Sequence, residues 1–406
     1  MNHSVDDGAA RHNALVLSCA QALGGANPAI VVSLGGLVGA SIAPDPAYAT
    51  VPVSLLQLGI AAGTIPAAFV MRRFGRKGGY LIGAVVGMIA GSVAAVGASR
   101  GSFGLFCLGT FLAGFYSAYV QSYRFAATDV ASPDFRARAI SWVMAGGVVA
   151  GIVGPQTVIW MRDVIPGSPF AGGFLGQAGL ALLSFGVVAL LRPTPIAPPV
   201  TSGGPEARPL GVILAQPRFI LAVVAGLVSY GLMSFVMTAA PLAMVAECGH
   251  SLGNATLGIQ WHILAMYGPS FFTGGLIKRF GRERVVIAGL LLIAAASVIG
   301  LSGITVAHFW TALVLLGIGW NFGFIGATAL VTECARPEER TKTQAMNDFL
   351  VFGCVAVASF SSGSLVTAGG WALLNWLVLP VVGLTLAAIV WGMGRGSFAD
   401  PEARLT

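Results

Sequence analysis

The sequence predicts an all-α integral membrane protein, built as two pseudo-symmetric six-helix bundles around a central cavity. The chain of 406 residues is 56% hydrophobic and only 9% charged, whereas soluble domains carry about 25% charged residues. No stretch alternates apolar and polar residues as the strands of a membrane barrel do, so the spans are expected to be helices. A short basic segment also occurs twice, once in each half of the chain, which indicates an internal repeat.

Twelve apolar stretches are long enough to cross a bilayer, since each crossing takes roughly 20 residues. The segment 192–216 between the sixth and seventh stretch is rich in Pro, Gly and Ser, which predicts a linker. It separates a first half, 14–191, from a second half, 217–394, with tails at 1–13 and 395–406. The predicted spans are 14–40, 49–71, 80–98, 103–127, 139–161, 171–191, 217–240, 257–277, 285–304, 308–331, 343–366 and 372–394.

The repeated basic segments are 72–77 (RRFGRK) and 278–284 (KRFGRER). Each joins two apolar stretches and is therefore predicted to be the tip of a helical hairpin. Gly75 and Gly281 allow a reversal that a side chain would obstruct. A second pair of segments, 128–136 (TDVASPDFR) and 332–340 (TECARPEER), repeats at nearly the same separation. The repeats predict two homologous halves.

The distribution of positive charge predicts the orientation in the membrane. Of the 22 Lys and Arg residues, 19 fall in the tails, the linker and the loops on the hairpin side, and only Arg100 and Arg162 lie in loops on the other side. Basic loops stay in the cytoplasm, so we expect both termini to be cytoplasmic in a multi-pass protein of the inner membrane. The net charge of +7 is then a topology signal, and we expect no nucleic-acid partner.

These features resemble the major facilitator superfamily. Its signature after the second span is a Gly, three residues and then Asp-Arg-x-Gly-Arg-Lys/Arg, and segments 73–77 and 279–282 match its latter part. The sequence departs from it at the Asp position, which holds Arg72 and Lys278, and at the leading glycine, which is Ala68 in the first copy. The resemblance implies a secondary transporter that works by alternating access, with a cavity lined mainly by spans 1, 4, 7 and 10.

Polar residues are concentrated in those spans, and Arg124 stands out among them. It shares one helical stripe with Ser117 and Gln121, and it is the only basic residue well inside a span. A lipid-facing arginine is costly, so Arg124 is expected either to bind an anionic or electron-rich substrate or to be held in a structural ion pair. The predicted substrate-binding residues are Gln21, Ser117, Gln121, Tyr123, Arg124, Tyr230, Trp261, His262, Trp320 and Asn321. Packing is the alternative for the aromatic residues, and a helix contact is the alternative for His262.

The resemblance also implies a gate at the cytoplasmic side, where the basic hairpins pair with acids at the ends of spans 4 and 10. By that analogy Arg76 meets Asp129 and Arg282 meets Glu333. Asp348, near the start of span 11, is expected to neutralise Arg72, and the rival interpretation makes Asp348 the protonation site. The predicted gate residues are Arg72, Arg73, Arg76, Asp129, Lys278, Arg279, Arg282, Glu333 and Asp348.

The first functional hypothesis is a proton-coupled exporter of a small organic solute. The alternative is proton-coupled uptake of an aromatic or anionic nutrient, such as a vitamin or an organic acid. A membrane-bound enzyme or a receptor is a distant third, since the sequence carries no Ser/His/Asp set, no HExxH motif and no phosphate-binding loop. The expected partners are the substrate, the bilayer and protons. We expect no cofactor, no metal site and a monomer.

Overall fold

The computed structural model describes residues 8–129, 131–168, 170–192, 208–336 and 339–395. Within these ranges, nine helical segments are long and apolar enough to cross a membrane. Two of them reverse direction at a glycine with positive φ, Gly75 (φ 73°) and Gly370 (φ 69°), so each supplies two spans. One further span is interrupted near Gly268 and falls outside the nine. The total is the predicted twelve, and the fold is all-α.

The first half begins earlier than predicted, because helix starts at Gly8 and not at residue 14. Its first span breaks at Gly25 into two helices. Gly59 and Gly114 let the second and fourth spans touch, since a Cβ at either residue would lie 2.2 Å from a carbonyl oxygen of the other helix. Small residues at such contacts are typical of membrane helices. The helices of this half are α1 (Gly8–Gly24), α2 (Ala26–Ile42), α3 (Val51–Ser99), α4 (Phe103–Gln121), α5 (Tyr123–Ala126), α6 (Pro133–Met161) and α7 (Ala171–Val188).

The second half repeats this arrangement with one addition. The predicted linker contains a short helix, α8 (Leu210–Leu214), whose Ile213 is fully buried in the core. The described part of the predicted linker is therefore partly helical and packed against the bundle. The remaining helices are α9 (Pro217–Leu242, continued by a π-helical turn, Ala243–Glu247), α10 (Leu252–Tyr267), α11 (Ser270–Phe280), α12 (Arg282–Ser302), α13 (Val306–Glu333) and α14 (Arg340–Gly394).

The halves contact each other through α3 with α14, α6 with α10, and α2 with α9 and α10. We call the end of the bundle that carries Gly75 and Gly281 the hairpin end, and the other the far end. Among the described residues, three side-chain hydrogen bonds cross between the halves, and all lie toward the far end. Thr50 and Ser54 donate to Ser359 at 3.4 and 3.2 Å, and Gln156 donates to Gln260 at 2.9 Å. The halves are thus joined at the far end.

Candidate functional site

Arg124 lies on α5, the short helix that follows the end of α4 at the hairpin end. Its side chain is exposed and its guanidinium lies 4.8 Å from the centroid of the Phe125 ring. Its charge acts on Tyr230, Tyr267 and Asp348, all in the second half. Arg124 therefore faces the other half of the molecule. No described residue forms an ion pair or hydrogen bond with it, so the structural-pair alternative finds no partner there.

An aromatic cluster in the second half lies within the field of Arg124. We define it as Tyr230, Tyr267, Trp320, Phe324 and Phe352. The Trp320 and Phe324 rings are stacked 5.4 Å apart, and Tyr230 meets both edge-on at 5.3 and 5.0 Å. The Phe352 ring centroid lies 5.9 Å from that of Tyr230, and the Tyr267 ring centroid lies 6.3 Å from that of Trp320. The buried Trp320 Nε1 has no hydrogen-bond partner among the described residues, so the cluster offers flat apolar faces and one unused donor.

The predicted binding residues included Tyr230 and Trp320 but not Phe324, Tyr267 or Phe352. A weak sequence signal existed for Tyr267 and Phe352. Tyr267 directly precedes the Gly268-Pro269 pair that interrupts the eighth span, and Phe352 lies one helical turn after Asp348. Neither residue could be assigned to the cluster from sequence, because the assignment depends on how α10 and α14 pack against α9 and α13.

Two predicted residues of the first half are occupied in helix packing. Ser117 accepts a 2.7 Å hydrogen bond from Asn27 and thereby links the fourth span to the first. Tyr123 is fully buried, with its ring 4.7 Å from that of Tyr80. Their placement gives no support to the prediction that they bind substrate.

Two predicted residues of the second half are likewise engaged by neighbouring helices. His262 is fully buried, and its Nδ1 lies 2.7 Å from the carbonyl oxygen of Leu313. The Asn321 amide donates to the carbonyl of Met266 and to the hydroxyl of Ser270, so it satisfies the polar groups at the interruption of the eighth span. Both residues stabilise the contact between α13 and the eighth span.

The three other predicted binding residues lie at different depths. Gln21 is half-buried beside Gly25 and Gly147, at the contact of the first and fifth spans. Gln121 is exposed at the end of α4, one turn from Arg124, which is the position the predicted stripe requires. Trp261 is 45% exposed and lies outside the aromatic cluster.

Both ion pairs that the family resemblance implied are present at the hairpin end. Arg76 binds Asp129 through Nε at 2.9 Å and Nη2 at 3.4 Å. Glu333 binds Arg282 and also Arg218 at the start of α9, a partner that the sequence did not reveal. Each pair joins helices of one half, so neither bridges the halves. Their role as a gate stays a prediction.

The expected contact between Arg72 and Asp348 is wrong for the described structure. Asp348 accepts a hydrogen bond from Asn347 at 3.2 Å, and the cation whose charge acts on it is Arg124. Arg72 is exposed, and no described residue forms an ion pair with it. The other predicted gate cations, Arg73, Lys278 and Arg279, are exposed as well, and the two arginines each lie over a neighbouring phenylalanine ring.

The sequence was compared with known proteins and the fold with solved structures. The profile of the Major Facilitator Superfamily matches residues 14–269 and 223–403. The riboflavin transporter RfnT of Brucella anthropi is 59% identical over 385 residues, which cover 95% of this chain and 96% of that protein. The uncharacterized MFS-type transporter YdeG of Bacillus subtilis is 31% identical over 94% of this chain and 91% of its own.

Solved structures of two transporters share the fold. The nucleoside transporter NupG superposes with a TM-score of 0.67 at 14% identity, covering 96% of this chain and 99% of that one. A bacterial homolog of the human lysosomal transporter Spinster, in an inward-facing and unoccupied conformation, superposes with a TM-score of 0.69 at 14% identity. The match covers 95% of this chain and 96% of that one. Relatives and structural neighbours with a described activity are transporters, not enzymes. The chain belongs to the major facilitator superfamily and is a secondary transporter of a small molecule.

Proposed function

We propose that this chain carries riboflavin into the cell. The observation that carries the proposal is the 59% identity with a riboflavin transporter over 95% of the chain. Of the two transport hypotheses drawn from the sequence, it favours uptake of an aromatic nutrient over export of an organic solute. The inward direction is part of the proposal, because a vitamin is a compound that cells gather from outside.

The geometry of the site supports this substrate. Riboflavin has a flat three-ring system whose polar edge carries carbonyl and nitrogen acceptors. The parallel Trp320 and Phe324 rings and the edge-on Tyr230 offer the stacked and T-shaped contacts that aromatic ligands favour. Arg124 supplies a planar set of donors for the acceptor edge, and Trp320 Nε1 supplies one more. A neutral aromatic ring suits this site better than a small anion does, because the site has more aromatic faces than cations.

The proposed orientation places the hairpin end in the cytoplasm of a cell with an inner membrane, with both termini on that side. It rests on the bias of basic residues toward the hairpin side. Because the halves are joined toward the far end, the structure then corresponds to the state from which substrate leaves for the cytoplasm. In alternating access, the two halves, residues 14–191 and 217–394, would rock against each other. The contact between them at the far end would then open, and a contact at the hairpin end would form.

Proton coupling, the finer part of the proposal, is assigned to Asp348. This carboxylate lies in the field of Arg124 and across the interface between the halves. A proton on Asp348 would cancel the charge that Arg124 meets in the second half and so alter the attraction between the halves. The rival interpretation from the sequence, in which Asp348 is the protonation site, thereby gains support over the one that pairs it with Arg72. We propose a monomer as the transporting unit.

The proposal is tested by uptake of radiolabelled riboflavin into proteoliposomes with an imposed pH gradient. We expect saturable uptake that unlabelled riboflavin competes away and that an acidic outside accelerates. Arg124→Lys should weaken apparent affinity, because the charge stays but the planar fork is lost, and Arg124→Gln should nearly abolish uptake. Arg395→Gln removes an exposed arginine that also lies over an aromatic ring at the same end, and it is the matched control. Correctly folded protein that does not move riboflavin in either direction would refute the substrate assignment.

A second experiment separates coupling from binding. Asp348→Asn should lose accumulation driven by the pH gradient, while exchange of labelled for unlabelled riboflavin across the membrane continues. Exchange needs substrate binding and alternating access but no net proton movement. If gradient-driven accumulation survives in Asp348→Asn, Asp348 is not the coupling residue, and the riboflavin assignment is unaffected.

A further inference from the structure

A small crevice opens at the hairpin end of the first half, between the ends of its first, third, fourth and sixth spans. It is open to solvent, the free space between its walls is about 230 Å³ with that solvent included, and it is separate from the aromatic cluster. One wall is basic and the other is apolar. The residues that line it are Asn13, Leu17, Arg76, Lys77, Tyr80, Ala126, Leu191 and Arg192.

The basic wall carries more positive charge than the described residues around it neutralise. Arg76 is paired with Asp129. Lys77 and Arg192 form no ion pair with any residue that the structure describes. Arg192 is held in place through its backbone, because Asn13 accepts a hydrogen bond from its N–H at 2.9 Å and donates to its carbonyl at 3.2 Å. The crevice therefore carries two cations that no described residue neutralises, one of them on a backbone that is held in place.

The apolar wall continues onto the outer surface of the bundle. Leu17 and Leu191 line the crevice, and the neighbouring Leu15 and Leu190 are 55% and 63% exposed. In a membrane protein, exposed leucines beside a basic crevice lie where acyl chains meet headgroups. A ligand that fits both walls carries a negative group and long apolar chains.

The described part of the second half does not repeat this arrangement of cations, even though the second half repeats the hairpin. In the two copies, Gly75-Arg76-Lys77 corresponds to Gly281-Arg282-Glu283, so an acid replaces Lys77. Arg395, which follows the last span as Arg192 follows the sixth, lies 4.2 Å from the Trp391 ring. The crevice is thus a feature of the first half and not a general consequence of basic loops.

We infer that this crevice binds the phosphate headgroup of an anionic phospholipid. Lys77 and Arg192 contact the phosphate, and the acyl chains run along Leu15 and Leu190. Basic pockets between membrane helices are suited to such headgroups, because cations near an anionic surface attract them. Arg76 lines the same crevice, so a bound headgroup competes with Asp129 for its guanidinium and changes how the first hairpin is held.

The test measures retention of phosphatidylglycerol by native mass spectrometry, after purification from mixed phosphatidylglycerol and phosphatidylcholine. We expect the wild type to retain phosphatidylglycerol preferentially. The double variant Lys77→Gln/Arg192→Gln should lose about twenty-five-fold in affinity, roughly fivefold for each cation removed at a membrane surface. Lys77→Arg, which keeps the charge, should retain the lipid. The matched control Lys278→Gln/Arg279→Gln removes two exposed cations from the second hairpin and should also leave retention unchanged.

Two results would overturn the inference. Equal retention by the double variant and the wild type would exclude the crevice as the site. Binding of inorganic phosphate in detergent, saturating the site without any preference for lipid, would assign the crevice to a soluble anion. Thermal unfolding measures the folded fraction of each variant, and lipid retention is compared at equal folded fraction. A variant that is merely unfolded is therefore not mistaken for one that has lost lipid binding.

Discussion

The two halves each use an arginine near the start of their first span to contact the repeated segment after the fourth span of that half, but the chemistry of the contact differs. In the first half, the Arg11 guanidinium lies 5.8 Å from the centroid of the Phe135 ring. In the second half, Arg208 binds Glu339 through Nε at 2.9 Å and Nη2 at 2.7 Å. Phe135 and Glu339 occupy equivalent positions in the repeated segments 128–136 and 332–340. The repeat thus keeps the geometry while a cation–π contact in one half corresponds to a salt bridge in the other.

The two halves also differ in the number of ion pairs at the hairpin end. Asp129 holds one arginine, whereas Glu333 holds two, Arg218 and Arg282. Glu339 is fully buried and also accepts the backbone N–H groups of Arg208 and Arg336. The second half is therefore more strongly cross-linked by charge at the hairpin end. We expect the first half to be the more easily deformed of the two.

The largest effect should come from Glu339→Gln. Removing the charge of this fully buried carboxylate weakens its hydrogen bonds to Arg208 and Arg336, and breaking an ion pair that involves a buried carboxylate costs about 3 kcal/mol. The measurement is the unfolding midpoint in detergent. Asp163→Asn, which removes a carboxylate that is 76% exposed from a pair at the far end, is the control and should cost under about 1 kcal/mol. Equal midpoints for the two variants would mean that the Arg208 contact adds nothing to stability.

The same contact predicts a pH dependence. The hydrogen bond from Arg208 holds the pKa of Glu339 well below its usual value of 4.5. A carboxyl group whose pKa is lowered by folding stabilises the protein above its unfolded pKa, and this contribution is lost as the pH falls below that value. Between pH 5 and pH 3, the unfolding midpoint of the wild type should therefore fall more steeply than that of Glu339→Gln. Parallel curves would contradict the assignment.

We expect a smaller difference in stability between the variants Glu333→Gln and Asp129→Asn. The first leaves two arginines facing each other without an anion and should cost about 2 kcal/mol. The second breaks one partly exposed pair and should cost under about 1 kcal/mol. A cysteine placed at Gln121 and labelled with an impermeant maleimide reports access from the hairpin end. If the ion pairs act as gates, labelling should rise in both variants, and unchanged labelling in both would exclude the gate role. Equal losses of stability in the two variants would exclude the asymmetry between the halves.

The smallest effect should come from Arg11→Gln. A cation–π contact at an exposed site contributes about 0.5–1 kcal/mol, and no carboxylate among the described residues takes part in it. The loss should therefore be small and nearly constant between pH 3 and pH 5, unlike that of Glu339→Gln. Arg11→Lys, which keeps the cation, serves as the control and should be close to wild type. A steep acid dependence at Arg11 would show that the first half also relies on an ion pair.

The sequence by itself determined the fold class, the number of spans and the ends of the hairpins. Composition decides whether a chain lies in a bilayer, and only a residue without a side chain favours the positive φ found at Gly75 and Gly281. The pairs of Arg76 with Asp129 and Arg282 with Glu333 could be anticipated because both partners belong to repeated segments, to which the family resemblance assigns a contact.

The tertiary structure alone decided which polar residues face the interface between the halves and which face a neighbouring helix. A buried polar group in a membrane helix must find a partner, and periodicity gives the side of the helix but not what lies opposite. Ser117, His262 and Asn321 therefore looked like binding residues until Asn27, Leu313 and Met266 were placed beside them. Asp348 lies in the field of Arg124, and Glu339 binds Arg208, because folding brings together positions that are far apart along the chain.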